Sequence, residues 1–87
     1  MQTIEELRAR IDRIDSELIR LYGERMKVSE QIGLYKKERG LPVRDPAREQ
    51  ALLDRVGELA GAENADGVRA LFSLLMAQSR ARQEQDR

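Results

Sequence analysis

Apolar residues at Ile4, Leu7, Ile11, Ile14, Leu18, Leu21, Val28, Ile32 and Tyr35 succeed one another in alternating steps of three and four, with Arg25 filling the slot between Leu21 and Val28. That spacing puts them on one face of an α-helix. Thr3 and Glu6 have the separation of a capping box, which starts the helix near the N-terminus. The pattern carries it to about Lys37, a rod of roughly 50 Å. Such a rod dictates the rest of the fold, because it takes a large share of 87 residues and cannot bury its own stripe. Gly23 and Gly33 lie inside it. Each costs about 1 kcal/mol relative to alanine in a helix interior, so they mark close packing or the approach of a ligand.

Two breaks follow. In RGLPVRDP, Gly40 suits a C-terminal cap and Pro42 a stop, while Asp45 suits an N-cap and Pro46 the first position of a second helix. That helix carries Leu52, Leu53, Val56 and Leu59 and ends near Gly61. In GAENADG, Asn64 or Asp66 caps a third helix, which passes through Val68, Leu71, Phe72, Leu75 and Met76 into a polar tail. With no strand-like alternation, internal repeat or low-complexity segment, the reading is all-α: one long and two shorter helices in a single domain over residues 1–87.

The lengths do not match. A second helix of about sixteen residues spans only ~24 Å, so folding back antiparallel it covers just the C-terminal half of the first. The 4–18 half of the stripe is left bare. A chain of 87 residues is also small enough that a lone core is marginal, and a long apolar stripe demands a partner. The simplest is the same helix of a second copy, which gives an interlocked homodimer.

Composition removes several function classes. Sixteen basic and sixteen acidic residues interleave and cancel, so no basic stripe points to nucleic acid or an anionic membrane surface. One Phe and two Tyr give little for base stacking. The absence of cysteine and histidine removes disulfides, thiol chemistry and the usual zinc and copper sites, and no metal or cofactor is expected. The N-terminus lacks an apolar signal core, and no run approaches the ~18 apolar residues of a spanning helix. The default is a soluble cytoplasmic protein.

Helical projection locates the polar intruders. Arg25 and Lys36 lie near the middle of the first helix's apolar face, with Arg8 at its edge. On the second helix Asp45, Arg48 and Glu49 share the side of Leu52 and Val56; on the third, Ser79 and Gln83 extend the line of Val68, Phe72 and Met76. Buried charge is costly unless paired or matched to a ligand. One reading is therefore an internal salt-bridge network joining Arg25 or Lys36 to Glu49 or Asp45. The other is a small anionic ligand, because three cationic groups facing one or two carboxylates leave positive charge in excess.

These residues carry a resemblance. LRARIDRIDSELIRLYGERMKVSEQIGLYKKERGLPVRDPAREQALLDRV is similar to the all-α, AroQ-type class of chorismate mutases. The likeness lies in its L-R-x-x-I-D-x-I-D-x-x-L-I-x-L opening, its E-R and I-G-x-x-K segments and its P-V-x-D-x-x-R-E turn. LFSLLMAQSRARQ fits that family's third helix. The resemblance implies a substrate site of Arg25, Lys36, Asp45, Arg48, Glu49, Ser79 and Gln83, completed by Arg8 of the other subunit. It implies a concerted rearrangement of the dianion chorismate to prephenate in phenylalanine and tyrosine biosynthesis, with no cofactor. In that picture Arg25, Arg48, Arg8 and the Ser79 hydroxyl grip the two carboxylates. Lys36 and Gln83 donate to the ether oxygen, Glu49 and the Asp45 backbone take the ring hydroxyl, and Ile32, Leu52 and Met76 wall the ring.

Blander roles stay open for single members: Asp45 as an N-cap, Ser79 as a small residue at a helix crossing, Arg8 as a solvated flank. Two other functions also fit the pattern, an isochorismate pyruvate lyase and a non-catalytic helical dimerisation or regulatory module. Glu49 separates the first from a mutase, and the inward cations argue against the second, since a pure interaction module would gain from leucine there.

Overall fold

The computed structural model describes residues 2–85 and Arg87, and contains three helices: α1 (Ile4–Glu38), α2 (Pro46–Ala60) and α3 (Ala65–Glu84). No strand occurs among the described residues.

Local chemistry sets the helix ends. Thr3 accepts the Glu6 amide at 3.1 Å, Glu5 and Glu6 occupy the first turn of α1, and Lys36 and Lys37 the last, an arrangement that complements the helix dipole at both ends. At the far end Gly40 adopts φ +66°, a region alanine avoids, and lets the Leu41 amide reach the Lys36 carbonyl at 2.8 Å. Asp45 caps α2 by accepting the Arg48 amide at 3.1 Å, with Pro46 next to it. Of the two expected caps for α3, Asn64 occupies the N-cap position without a side-chain hydrogen bond, and Asp66 falls inside the helix. Carbonyls do the work there instead: Asn64 accepts the Val68 amide at 2.9 Å.

Packing departs from expectation in one respect. The helix α2 does run back, but it does not cover α1: no Cα of α2 comes within 8 Å of one in α1. The third helix α3 touches both. Tyr22 bonds Gln78, Arg25 bonds Ser79, and Arg82 bonds Glu30, so rising numbers in α1 meet rising numbers in α3. Against α2, α3 is antiparallel, with Glu49 beside Arg80 and Gly57 beside Arg69. The reason lies in the facing side chains. Between α1 and α2 they include the cations Arg25, Lys36 and Arg48, whereas α1 offers α3 a surface of small groups, Ser29 and Gly33, beside buried Met26.

Gly33 makes that approach possible. A Cβ built on it would lie 2.9 Å from the Gln83 Cγ and 3.0 Å from its Cα, closer than atoms pack without a shift of the backbone. Gly33→Ala is therefore expected to push α3 away, destabilise the fold by about 1–3 kcal/mol and displace Gln83; thermal unfolding measures the first and turnover the second. Gly23 is different, since within the chain nothing stands within 4 Å of its Cβ position, so close packing inside the protomer does not account for it.

The buried apolar core is small, namely Met26, Val43, Val56 and Met76. In contrast Ile4, Leu7, Ile11, Ile14 and Leu18 keep between 42% and 55% of their surface exposed. The N-terminal half of α1 projects from an outline of 57 × 26 × 14 Å as a bare apolar rod.

Candidate active site

Because α3 holds α1 and α2 apart, a cavity of about 390 Å³ opens between them, within the span of small-molecule sites. Arg25, Val28, Ser29, Ile32 and Lys36 of α1 line one side. Arg48, Glu49 and Leu52 of α2 line the other, with Val43 and Asp45 from the connection at one end. Met76, Ser79, Arg80 and Gln83 of α3 form the floor. Arg25 and Lys36 are eleven residues apart, three helical turns, so they reach into the cavity from the same face of α1 about 16 Å apart along its axis.

Seven of the eight residues singled out from the sequence thus meet in one cavity, and so do the three apolar walls Ile32, Leu52 and Met76. Arg8 does not; it is exposed on the projecting half of α1, seventeen residues and about 25 Å along the helix from Arg25. Nothing in its own chain brings it to the cavity.

The hydrogen bonds decide between the two readings of the inward cations. Arg25 donates to the Ser79 hydroxyl at 2.7 Å, and its guanidinium lies 5.8 Å from the centre of the Phe72 ring. Lys36 donates to the Val43 carbonyl at 2.7 Å and the Gln83 amide oxygen at 3.3 Å. Neither Arg25, Lys36 nor Arg48 pairs with a carboxylate among the described residues. The internal network proposed from sequence, joining Arg25 or Lys36 to Glu49 or Asp45, is not what forms. Asp45 serves as the helix cap, and Glu49 is taken by Arg80 at 2.6 Å.

Two participants were not foreseen. Buried Ser29 accepts from the Gln83 amide nitrogen at 3.2 Å and donates to the Ser79 carbonyl at 3.4 Å, so it ties the floor together. Its signal was its place four residues after Arg25 and four before Gly33, a small polar residue on the packed side of α1. Arg80 follows Met76 by four residues, and so continues the same line of α3 as Phe72 and Met76 toward the cavity. Counting it, four cations and two carboxylates line the space. An excess of two positive charges remains.

Among the described residues no group of three or more acidic, His or Cys side chains is placed to hold a metal ion. No described helix is long and apolar enough to cross a membrane. What the cavity offers is hydrogen-bond donors on three sides, apolar walls and an unneutralised double positive charge.

Fold and cavity together define the class: an all-α protein with a donor-lined pocket of net positive charge. The chain belongs to the family described as chorismate mutase type II, whose pattern matches residues 7–84. It is 31% identical over 88 residues to the chorismate mutase of Methanocaldococcus jannaschii, an alignment covering 98% of this chain and 88% of that protein. It is 35% identical to the T-protein of Haemophilus influenzae, over 98% of this chain but 23% of that longer protein. Among solved structures, a conserved hypothetical protein from Pyrococcus furiosus superposes with a TM-score of 0.79 at 34% identity, covering 95% of this chain and 97% of that one.

Proposed function

We propose that residues 1–87 form a chorismate mutase unit that rearranges chorismate to prephenate at the cavity between α1 and α2. The observation that carries this reading is that Arg25, Lys36 and Arg48 line one small cavity with no carboxylate partner among the described residues. A dianion supplies the missing charge.

The reaction needs no nucleophile and no proton transfer. It needs the flexible substrate held in its reactive conformation, and stabilisation of the negative charge that builds on the ether oxygen as the C–O bond breaks. Arginine forks suit carboxylates, which assigns Arg25, with the Ser79 hydroxyl beside it, and Arg48 to the two ends of the substrate. The Lys36 ammonium and the Gln83 amide, 3.3 Å apart on the cavity's side and floor, converge on the ether oxygen. In the structure the amide turns its oxygen to Lys36 and its nitrogen to Ser29. Donation to substrate requires the opposite orientation, in which the single Ser29 hydroxyl proton turns from the Ser79 carbonyl to the amide oxygen. Glu49 is left to receive the ring hydroxyl, with the backbone at Asp45.

The unit acts as a homodimer in this proposal, with Arg8 of the partner subunit closing each site. The 4–18 half of α1 supports this, being apolar, exposed and long enough to lie against its own copy. A cytoplasmic location fits a substrate that is a small dianion and does not cross membranes unaided.

Adding the protein to chorismate should remove its absorbance and yield prephenate. Pyruvate with a hydroxybenzoate would instead mean the lyase, and an unchanged spectrum a non-catalytic module.

Gln83 gives a sharper test. Loss of one donor to developing charge typically costs ~10²- to 10³-fold in rate, so Gln83→Ala should be slow at every pH. Gln83→Glu donates only while its carboxyl is protonated, and a free glutamate titrates near about 4.3. With Lys36 beside it the carboxylate is favoured further, so activity should recover only as the solution is acidified. Profiles of kcat/KM against pH that run parallel for the unmodified and Gln83→Glu proteins would remove Gln83 from the reacting atoms.

A further inference from the structure

We infer that Arg80 is a positioning residue of this site: it holds the Glu49 carboxylate away from the cations that must grip the substrate. The inference rests on the cavity being the chorismate site. Its starting point is an asymmetry in how the charges of the cavity are paired. Of the four cations that line it, only Arg80 is bound to a carboxylate among the described residues, its Nη1 donating to the Glu49 Oε1 at 2.6 Å. The pair spans α3 and α2 with 31% and 21% of the two side chains exposed, so solvent screens it only in part. The other inter-helix ion pair among the described residues, Arg82 with Glu30, lies outside the cavity lining.

The groups facing Glu49 explain why such a partner is needed. Arg25 and Lys36 approach from α1, Asp45 from the connection, Arg48 from the preceding residue of α2 and Arg80 from α3. A carboxylate on a flexible side chain among three unpaired cations moves to whichever it can reach. Were Glu49 to settle on Arg48 or Lys36, it would neutralise a group meant for the substrate and withdraw its own oxygen from the ring hydroxyl. Arg80 prevents both. By occupying Oε1 it leaves Oε2 as the acceptor for the ring hydroxyl, and it offsets the Glu49 charge so that the remaining cations stay available to a dianion.

The test is a double-mutant cycle in chorismate turnover. Hydrogen bonds to charged groups are worth enough that Arg80→Met should lower kcat/KM by about 10- to 100-fold, mainly through a higher KM, because the ligand must displace the collapsed carboxylate. Arg80→Lys keeps the charge near Glu49 and should recover most of the loss. In a Glu49→Gln background the carboxylate that would collapse is gone, so adding Arg80→Met should change kcat/KM by less than about twofold. Circular dichroism and thermal midpoints on the same proteins separate unfolding from the effect sought. Equal losses in both backgrounds would mean that Arg80 contacts substrate itself or only supports the fold, and no loss at all would mean that it is idle; either overturns the inference alone. An unmodified protein that leaves chorismate unchanged would overturn the reading of the site and the inference with it.

Discussion

Arg25→Ala should leave the helices folded and cost on the order of 10³-fold in kcat/KM, the upper end for loss of a donor to a charged group in a closed site. The two halves of that expectation have separate causes. For the fold, Arg25 fills a slot in the apolar register but makes no ion pair; its truncation gives up the contact with Phe72 and the hydrogen bond to Ser79. The first of these is worth about 0.5–1 kcal/mol. It also relieves repulsion from the Lys36 and Arg48 charges that share the cavity. Helicity and the thermal midpoint should therefore change little. For activity, the guanidinium points to the Ser79 hydroxyl at the cavity floor and carries no carboxylate partner among the described residues, and no water can replace a bidentate fork on a carboxylate. Arg25→Lys should fall between the two, since an ammonium keeps the charge and loses the fork. A variant that unfolds with its activity would show that Arg25 is structural, and a folded one that keeps wild-type turnover would show that it does not grip the substrate.

The same contrast between what the fold wants and what the residue offers is what made the candidate site legible in the sequence. A leucine would have been the stable choice at Arg25, so its presence in a three-four register signalled something other than stability. The same logic singled out Lys36 and Gln83, which break apolar faces, and the helix-stop chemistry of Gly40, Pro42, Asp45 and Pro46 placed the first break within about one residue at its α1 end and at Pro46 itself for α2. Pairing was harder to read. Projection shows which side of a helix a charge occupies, but not which neighbour reaches it first, so Glu49 was matched to Arg25 or Lys36 when α3 brings Arg80 to it. The direct packing of α2 on α1 failed for a related reason: length and direction were argued from the sequence, while the order of the helices in space depends on side chains that meet across them. Small residues such as Ser29 and Gly33 decide that order; Gly33 signals close packing by interrupting the helix, but nothing in the sequence says which helix approaches it. Asn64 illustrates a third limit, since the residue type suited a cap that the backbone angles did not use.

The largest structural effect is expected where the chain is barest. Ile14 and Leu7 sit in the exposed stripe of α1, 55% and 42% accessible in the single chain. If two copies bury this stripe against each other, Ile14→Glu places a carboxylate in the seam from each side, and each costs several kcal/mol unless it finds a partner. Sedimentation should then show a dimer for the unmodified chain at micromolar concentration and a monomer, or an unfolded chain, for the variant, with activity lost in parallel. A monomeric mass for the fully active unmodified protein would sink the interlocked arrangement. Arg8 sharpens the test, because it lies on that same bare rod about 25 Å along α1 from Arg25 and would reach a cavity only across the twofold of such a dimer. Arg8→Ala and Arg25→Ala proteins, each nearly inactive, should complement when mixed and allowed to exchange subunits. Every mixed dimer then holds one intact site and one carrying both defects. With equal amounts and random pairing half the dimers are mixed, so about a quarter of the unmodified activity should return. Proven exchange with no recovery would place Arg8 and Arg25 in one site from one chain, which the exposed position of Arg8 makes hard to reconcile with any folded protomer.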